Sequence, residues 1–304
     1  MNPEIFAEWL RRQGHKIYKT ESSYWFNQGP RVYQAFPYHW VITPSDYELI
    51  TFLKGSKSIG LRYSTPITAP YGIESYHAVY NETEYTLEGL SKWARKNVRK
   101  GLKNSTVFPI TFDKLASDGY ELQLDTLKRQ NRKLLINRKI WENRCKSAIN
   151  LPGFQAWGAF VGNELAASVI TFQMDNWAYM LYQQCKREYL DQHVNNALSF
   201  VVTNHIVQTQ RITNILYGLH SLDAPPSVDE FKFRMGYYAK PVKQRVVFSP
   251  FVAKIINSDT YRLFRVFGKF FSNNSYFSKA EGLMRFYIQG SSPGRQQGNP
   301  NELL

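Results

Sequence analysis

ILYGLHSLDAPPSVDEFKFRMGYYAKPVKQRVVF, residues Ile215 to Phe248, is the stretch that decides how this chain is read. It opens inside an apolar strand, about Ile212 to Tyr217. Leu219, His220 and Ser221 then break into a polar loop that carries Pro225 and Pro226. A short helix, Val228 to Arg234, is ended by Gly236, and a final apolar-basic strand runs from about Val242 to Phe248. The segment gathers His220, Asp223, Asp229, Glu230, Lys232 and Arg234 at the mouth of a strand. Ligands bind at that place in open α/β sheets.

Upstream, Gln155 to Val161 and Glu164 to Gln173 flank Gly162-Asn163, a two-residue hairpin signal. Asp175-Asn176 makes a second turn into the strand Trp177 to Gln184. A polar loop, Lys186 to Asp191, leads to a helix from His193 to Gln210, with Val194, Ala197, Leu198, Val202 and Ile206 inward. Earlier in the chain, Asn2 to Arg12 reads as a helix with Pro3 in its first turn. Trp40 to Ile42 reads as a strand, and Asp46 to Leu53 as a helix. Thr86 is placed to cap a helix that presents Leu87, Leu90, Ala94, Val98 and Leu102 on one face. A strand follows at Val107 to Phe112, then one long or broken helical region from Leu122 to Lys146.

The chain has 304 residues and a formal net charge of +14. Between Lys92 and Lys146 there are 15 Lys/Arg against 5 Asp/Glu, a net charge of +10. The helix there carries Lys92, Arg95, Lys96, Arg99, Lys100 and Lys103 with no acid among them. Six such cations repel one another unless an anion lies near. RNA, a phospholipid surface and a phosphorylated substrate all fit. Trp93 is the one aromatic among them, which argues against sequence-specific base stacking. Cys145 and Cys185 make no disulfide framework, so the expectation is a reducing, cytoplasmic compartment. The N-terminus does not read as a signal peptide, and no run of 18 apolar residues is present. Metal-ligand spacing, a P-loop and the G-x-G-x-x-G and G-x-S-x-G motifs are all missing from the sequence.

The order of elements from 112 to 248 resembles the GNAT acyltransferase fold. The whole chain resembles the two-lobed, FemAB-like branch of that superfamily. The residues that carry the resemblance are Arg95-Lys96-Asn97-Val98-Arg99-Lys100 and the hairpin Trp157 to Ala167. The helix His193 to Ile206 and Phe231-Lys232-Phe233-Arg234-Met235-Gly236 complete the set, in the family's order, over about residues 1 to 250. The resemblance implies an α+β fold of two GNAT-like lobes. Each would hold a mixed, mostly antiparallel sheet flanked by helices, and C-terminal helices would follow. The expected divisions are 1–111 for the N-terminal lobe, 112–248 for the acyltransferase lobe, 249–290 for an amphipathic helical extension and 291–304 for a disordered tail. The active site would lie beside the second lobe's splayed strands.

What the resemblance implies for function is N-acyl transfer, from acyl-CoA or aminoacyl-tRNA, to a small-molecule or peptide amine. The family's Phe-Lys lysine corresponds to Lys232. One departure is plain. Acetyl-CoA-dependent members carry a glycine-rich loop whose amides hold pyrophosphate at a helix N-terminus. Here Cys185 to His193 has no glycine. That is compatible with an aminoacyl-tRNA donor or with a changed donor loop. The alternative is a degenerate, non-catalytic member that binds RNA or an anionic membrane through its basic helices.

Acyl transfer needs an unprotonated amine and a group that stabilises an oxyanion. Lys232 can be that cation; the plainer reading is a surface lysine. Asp229 can serve as base or hold the acceptor ammonium, or can be an ordinary first-turn acid. His220, just past a strand end, suits a base, or a structural histidine. Tyr182 and Gln184 share a strand face and can line the cleft, with the tyrosine hydroxyl as proton donor; simple packing is the rival reading. Lys186, Arg187, His193 and Asn195 are the candidate donor-binding residues. Arg95, Arg99, Gln184 and Phe231 are the candidate substrate-binding residues, and no metal is expected. Between Pro250 and Tyr287, aromatic and aliphatic residues alternate with Lys254, Arg262, Arg265 and Lys269. An interfacial membrane helix has this pattern, as does a helix packed on the second lobe. Peripheral contact at the inner membrane face therefore stays open.

Overall fold

The computed structural model describes residues 2–130, 137–220, 226–268 and 275–291. In chain order it runs α1 (Pro3–Arg12), β1 (Ile17–Lys19), β2 (Tyr24–Gly29), β3 (Val32–Phe36), α2 (Asp46–Gly55), β4 (Gly60–Thr65), β5 (Ile73–Tyr80), α3 (Lys92–Asn104) and β6 (Thr106–Ile110). Next come α4 (Phe112–Asp118), α5 (Tyr120–Arg129), α6 (Arg138–Lys146), β7 (Phe154–Val161), β8 (Glu164–Met174), β9 (Trp177–Cys185), a 3-10 turn (Arg187–Tyr189) and α7 (Val194–Gln208). Last among the described residues come β10 (Asn214–Leu219), α8 (Pro226–Arg234), β11 (Tyr238–Phe248), α9 (Pro250–Ile255), α10 (Ser258–Gly268) and α11 (Ser275–Gly290). The fold is α+β.

Two compact units are present. One comprises Met1–Gln13, Ala78–Gly218 and Ala224–Tyr238; the other comprises Gly14–His77, Leu219–Asp223 and Ala239–Leu304. These differ from linear lobes divided at 111/112. Helix α1 belongs to the first unit because Phe6 and Trp9 pack on Phe154, and the Trp9 indole N–H donates to the Arg144 carbonyl at 3.2 Å.

In the first unit the strand order is β10-β9-β8-β7-β6. The β6-β7-β8-β9 part is antiparallel, and β10 joins β9 in parallel. Helix α7 covers one face with Val194, Leu198, Val202 and Ile206 against Trp157, Val169, Ala178 and Met180. On another core Leu115, Leu122 and Trp141 of α4 to α6 pack on Ala156, Phe160 and Ile170. Trp9, Trp141 and Phe172 are fully buried; each such side chain stabilises the fold by roughly 1.5–3 kcal/mol or more.

In the second unit the order is β1-β2-β3-β4-β11-β5. Strands β3 and β4 are parallel and β4 and β11 antiparallel. Trp25, Tyr33, Leu49, Phe52, Leu61 and Tyr63 form its core. A buried polar chain crosses its strands. Arg62 Nε donates to Gln244 Oε1 at 3.1 Å, Gln244 Nε2 to the Ser64 hydroxyl at 2.6 Å, and Ser64 Oγ meets His77 Nε2 at 2.8 Å.

Several local expectations are corrected. Trp40 to Ile42 is not a strand. Thr86 does not cap α3; its hydroxyl accepts the Gly89 N–H at 3.3 Å in a turn, and Ser91 caps the helix by accepting the Ala94 N–H. The strand expected to reach Phe112 stops at Ile110, because Thr111 caps α4 through the Lys114 N–H. The 122–146 region is two helices, α5 and α6; residues 131–136, with Arg132 and Lys133, lie outside the described residues. So do Ser221, Asp223 and Pro225 of the polar loop, Lys269 and Phe271, and the tail expected to be disordered, apart from Ser291.

Candidate active site of the first unit

Strands β9 and β10 run parallel, with Asn214 opposite Trp177, Ile215 opposite Ala178 and Leu216 opposite Tyr179; among the described residues the ladder ends there. Just beyond, β9 bulges. Its register with β8 shifts between Ser168 and Ile170, and Tyr182 takes a positive φ of 42°. A bulge adds a residue to one strand and resets its alternation. Ala178 and Met180 therefore face α7, while Leu181 faces the α4–α6 side. After the bulge it is Gln183, not Tyr182, that faces α7.

Gln183 spans the opening that follows. Its Nε2 donates to Asn195 Oδ1 in the first turn of α7 at 2.8 Å, and its Oε1 accepts the hydroxyl of Tyr217 on β10. Tyr217 is enclosed, so burial, and secondarily the nearby Tyr237, pushes its pKa well above the ordinary tyrosine range. Tyr237 stands edge-on to it at 4.9 Å and shares a 2.8 Å hydrogen bond with Thr203.

On the same strand's flank, Lys232 Nζ donates to Asp229 Oδ1 at 2.6 Å. The two residues are one helical turn apart on α8 and only 8% and 7% exposed. Lys232 also lies over the Tyr217 ring, 5.6 Å from its centre. Gly218 lies beside the ammonium: a β-carbon there would be 3.4 Å from Lys232 Nζ, and its φ of +154° favours glycine. Phe231 packs against this core with its ring 6.5 Å from Tyr217.

The N-terminus of α7 is held close to α3. A β-carbon at Gly101 would lie 2.9 Å from Ala197 Cβ and closer still to the His193 carbonyl, so only glycine lets the helices approach this far. His193 sits at the N-cap in the left-handed region, φ 59°, without a side-chain cap bond. Burial, and then the charge of Lys100 with Lys96 adding to it, lowers its pKa below the ordinary histidine value. Lys96 and Lys100 are exposed. The positive end of the helix dipole and two lysines thus share one place.

Other expected residues go elsewhere. Tyr182 is 39% exposed, beneath the Arg144 guanidinium at 4.1 Å and beside Trp9. Gln184 is buried against Gln123 of α5. The bulge puts both away from the α7 face. Lys186 is no free donor-binding cation: it pairs with Glu164 and, at 3.6 Å, with Glu188. Glu164 also accepts the Tyr189 hydroxyl at 2.6 Å. Arg187 is exposed, and its backbone N–H donates to Asp125 at 2.6 Å. Arg95 donates to the carbonyls of Glu88 and Leu90, both at 3.1 Å, and so braces the turn before α3. Arg99 reaches Glu88 at 3.9 Å. His220 belongs to the second unit. There it stacks on Tyr76 at 4.8 Å, its Nδ1 meets Ser75 Oγ at 3.1 Å, and its carbonyl accepts Arg62 at 2.9 Å. Gln183 and Tyr217 join the candidate residues, and strand alternation does not single them out.

Solved structures share this arrangement of elements. FemX matches with a TM-score of 0.54 at 10% identity, over 78% of this chain and 90% of its own. The C-terminal domain of an Agrobacterium fabrum protein described as a lysylphosphatidylglycerol synthetase matches with a TM-score of 0.54 at 8% identity, over 80% and 87%. L-PGS from Bacillus licheniformis matches with a TM-score of 0.52 at 10% identity, over 82% and 92%.

The chain has the fold of FemX and of these lysylphosphatidylglycerol synthetase structures. No protein-family model matches it, and no curated protein matches it by sequence. At these identities the likeness is one of fold. Among the described residues, no group of three or more His, Cys, Asp and Glu side chains can hold a metal ion, and no helix is long and apolar enough to cross a membrane.

Proposed function

We propose that the chain is an N-acyltransferase that binds an acyl or aminoacyl donor in the opening between β9 and β10 and transfers the acyl group to an amine. The observation that carries this reading is the end of the β9–β10 ladder at Leu216 and Tyr179, followed by the bulge that turns Gln183 toward Asn195 and Tyr217. Acyl-CoA and aminoacyl-tRNA both present phosphate. Lys96 and Lys100, beside the N-terminus of α7, are the cations that meet it, in place of the glycine loop that the sequence lacks. Lys186, already paired with Glu164, contributes no free charge.

In the reaction, the amine nitrogen forms a C–N bond to the donor carbonyl carbon. The C–S bond of a thioester, or the C–O bond of an aminoacyl ester, breaks. The amine loses a proton and the departing sulfur or oxygen gains one. Lys232 takes the oxyanion role: its ammonium, fixed by Asp229, stands close to the Gly218 backbone at the end of β10. Asp229 holds that ammonium in place. The Tyr217 hydroxyl donates to Gln183 and holds that side chain across the opening, while water takes the amine proton and returns one to the leaving sulfur or oxygen. The acceptor is an amine of a small molecule or peptide.

The test is a transfer assay with labelled acetyl-CoA and labelled aminoacyl-tRNA against a panel of amines, comparing wild type with Lys232→Ala. Loss of a fixed oxyanion contact costs roughly 10²–10³ in turnover. A Lys232→Ala chain with full activity sinks the assigned role. A wild-type chain that binds tRNA but transfers nothing supports the non-catalytic alternative.

A further inference from the structure

Helices α9 and α10 of the second unit are apolar on two sides. Inward, Val252, Ala253 and Ile256 pack on a core that includes Val246, Phe248, Leu283 and Phe286. Phe264 stacks on Phe277 with ring centres 4.0 Å apart, and Tyr261 donates to Glu281 at 2.5 Å. These contacts account for the inner faces. They leave Phe251 75%, Ile255 52%, Leu263 58% and Val266 57% exposed. Single exposed apolar residues need no explanation, whereas a repeated pair on consecutive helices does.

The spacing repeats with its charge. Phe251 and Ile255 are one turn apart, with exposed Lys254 beside them; Leu263 and Val266 are one turn apart, flanked by exposed Arg262 and Arg265. Asp259 is the acid on this face of α10, and Arg262 stands 3.9 Å from it. The outer surface is thus large apolar side chains with cations set among them, on a chain of net charge +14.

We propose that the outer faces of α9 and α10 dock on a membrane surface that carries anionic lipid. Aliphatic and aromatic side chains enter the boundary between headgroups and acyl chains to a depth of about 5–10 Å. The cations stay at headgroup level and meet lipid phosphate. Charge complementarity selects this occupant over a second copy of the chain, which would bring cation against cation.

The experiment uses the full chain and unilamellar vesicles of phosphatidylglycerol and phosphatidylcholine, with phosphatidylcholine alone as the control. Cys145 and Cys185 are buried, so a Phe251→Cys variant takes a polarity-sensitive fluorophore at that position. The expected results are co-sedimentation with phosphatidylglycerol vesicles, weakening as salt rises, and a blue shift of the probe. A Leu263→Ser, Val266→Ser double variant partitions about ten-fold less or worse; circular dichroism checks that it keeps its fold. The proposal is overturned if wild type ignores phosphatidylglycerol vesicles, if the double variant binds as well, or if the probe stays in water while the chain binds. The last result assigns the contact to the basic α3 instead. A lipid-free dimer that the double variant abolishes also overturns it, in favour of self-association.

Discussion

Lys232 Nζ lies 2.6 Å from Asp229 Oδ1, and both side chains are buried. The pair makes α8 electrically neutral where it faces Tyr217 and Gly218, and each charge needs the other. Removing one partner of a buried pair typically costs about 3–5 kcal/mol, whereas replacing both with apolar groups of like size is often close to neutral. Asp229→Ala is therefore expected to lower stability by about 3 kcal/mol or more, and Asp229→Leu with Lys232→Met to recover most of it. Urea unfolding of the single and double variants checks this. A single variant as stable as wild type contradicts a buried ion pair.

Gln183 and Tyr182 are neighbours with opposite fates. Gln183→Leu leaves Asn195 and Tyr217 without their shared partner, at a cost of about 1–3 kcal/mol for unsatisfied polar groups, and should lower transfer at least ten-fold. Tyr182→Phe should leave transfer unchanged, because its ring sits under Arg144. Equal losses in both variants argue against the assigned face.

Gly101 fixes how near α3 comes to the His193 carbonyl. Gly101→Ala places a methyl against backbone that cannot yield, so a loss of about 1–3 kcal/mol is expected. Displacing Lys96 and Lys100 from the α7 N-terminus should also raise the KM for the donor while kcat falls less. Steady-state kinetics separates the two effects. An unchanged KM detaches α3 from donor binding.

His77 is buried beside Ser64, and burial, then Lys240, His39 and Arg62, pushes its pKa down to about 3. The unfolded chain binds this proton from about pH 6.5 downward and the folded chain only near 3, so stability is full above about 6.5 and falls as the pH drops toward 3. The slope approaches about 1.4 kcal/mol per pH unit. His77→Gln should flatten it, as read from unfolding midpoints against pH. A variant with the wild-type slope assigns the acid sensitivity elsewhere.

The fold was largely readable. Gly162-Asn163 between two β runs, Pro3 in a first turn and the apolar face of the helix after His193 carry local signals strong enough to set element order. The candidate site was legible only in part. Lys232 and Phe231 stand in a motif visible in the sequence, and the structure puts them in one unit with the candidates Asp229 and Asn195. Gln183 could not be, because a bulge at a tyrosine leaves no mark in the alternation, so Tyr182 and Gln184 looked like the cleft face. Nor could the neutralisation of Lys186 by Glu164, 22 residues away, be read locally. The compact units are not contiguous in sequence, since α1 joins strands more than 140 residues downstream through Phe6 and Trp9.

The most direct test of the donor site is thermal unfolding of wild type, Gln183→Leu and Lys96→Glu with Lys100→Glu, each with acetyl-CoA and with aminoacyl-tRNA. A ligand at 100 times its Kd stabilises the folded chain by about 2.7 kcal/mol. At least one donor is expected to raise the wild-type midpoint, and both variants are expected to lose that rise. A wild-type midpoint unmoved by either donor, or a rise that survives in both variants, contradicts it.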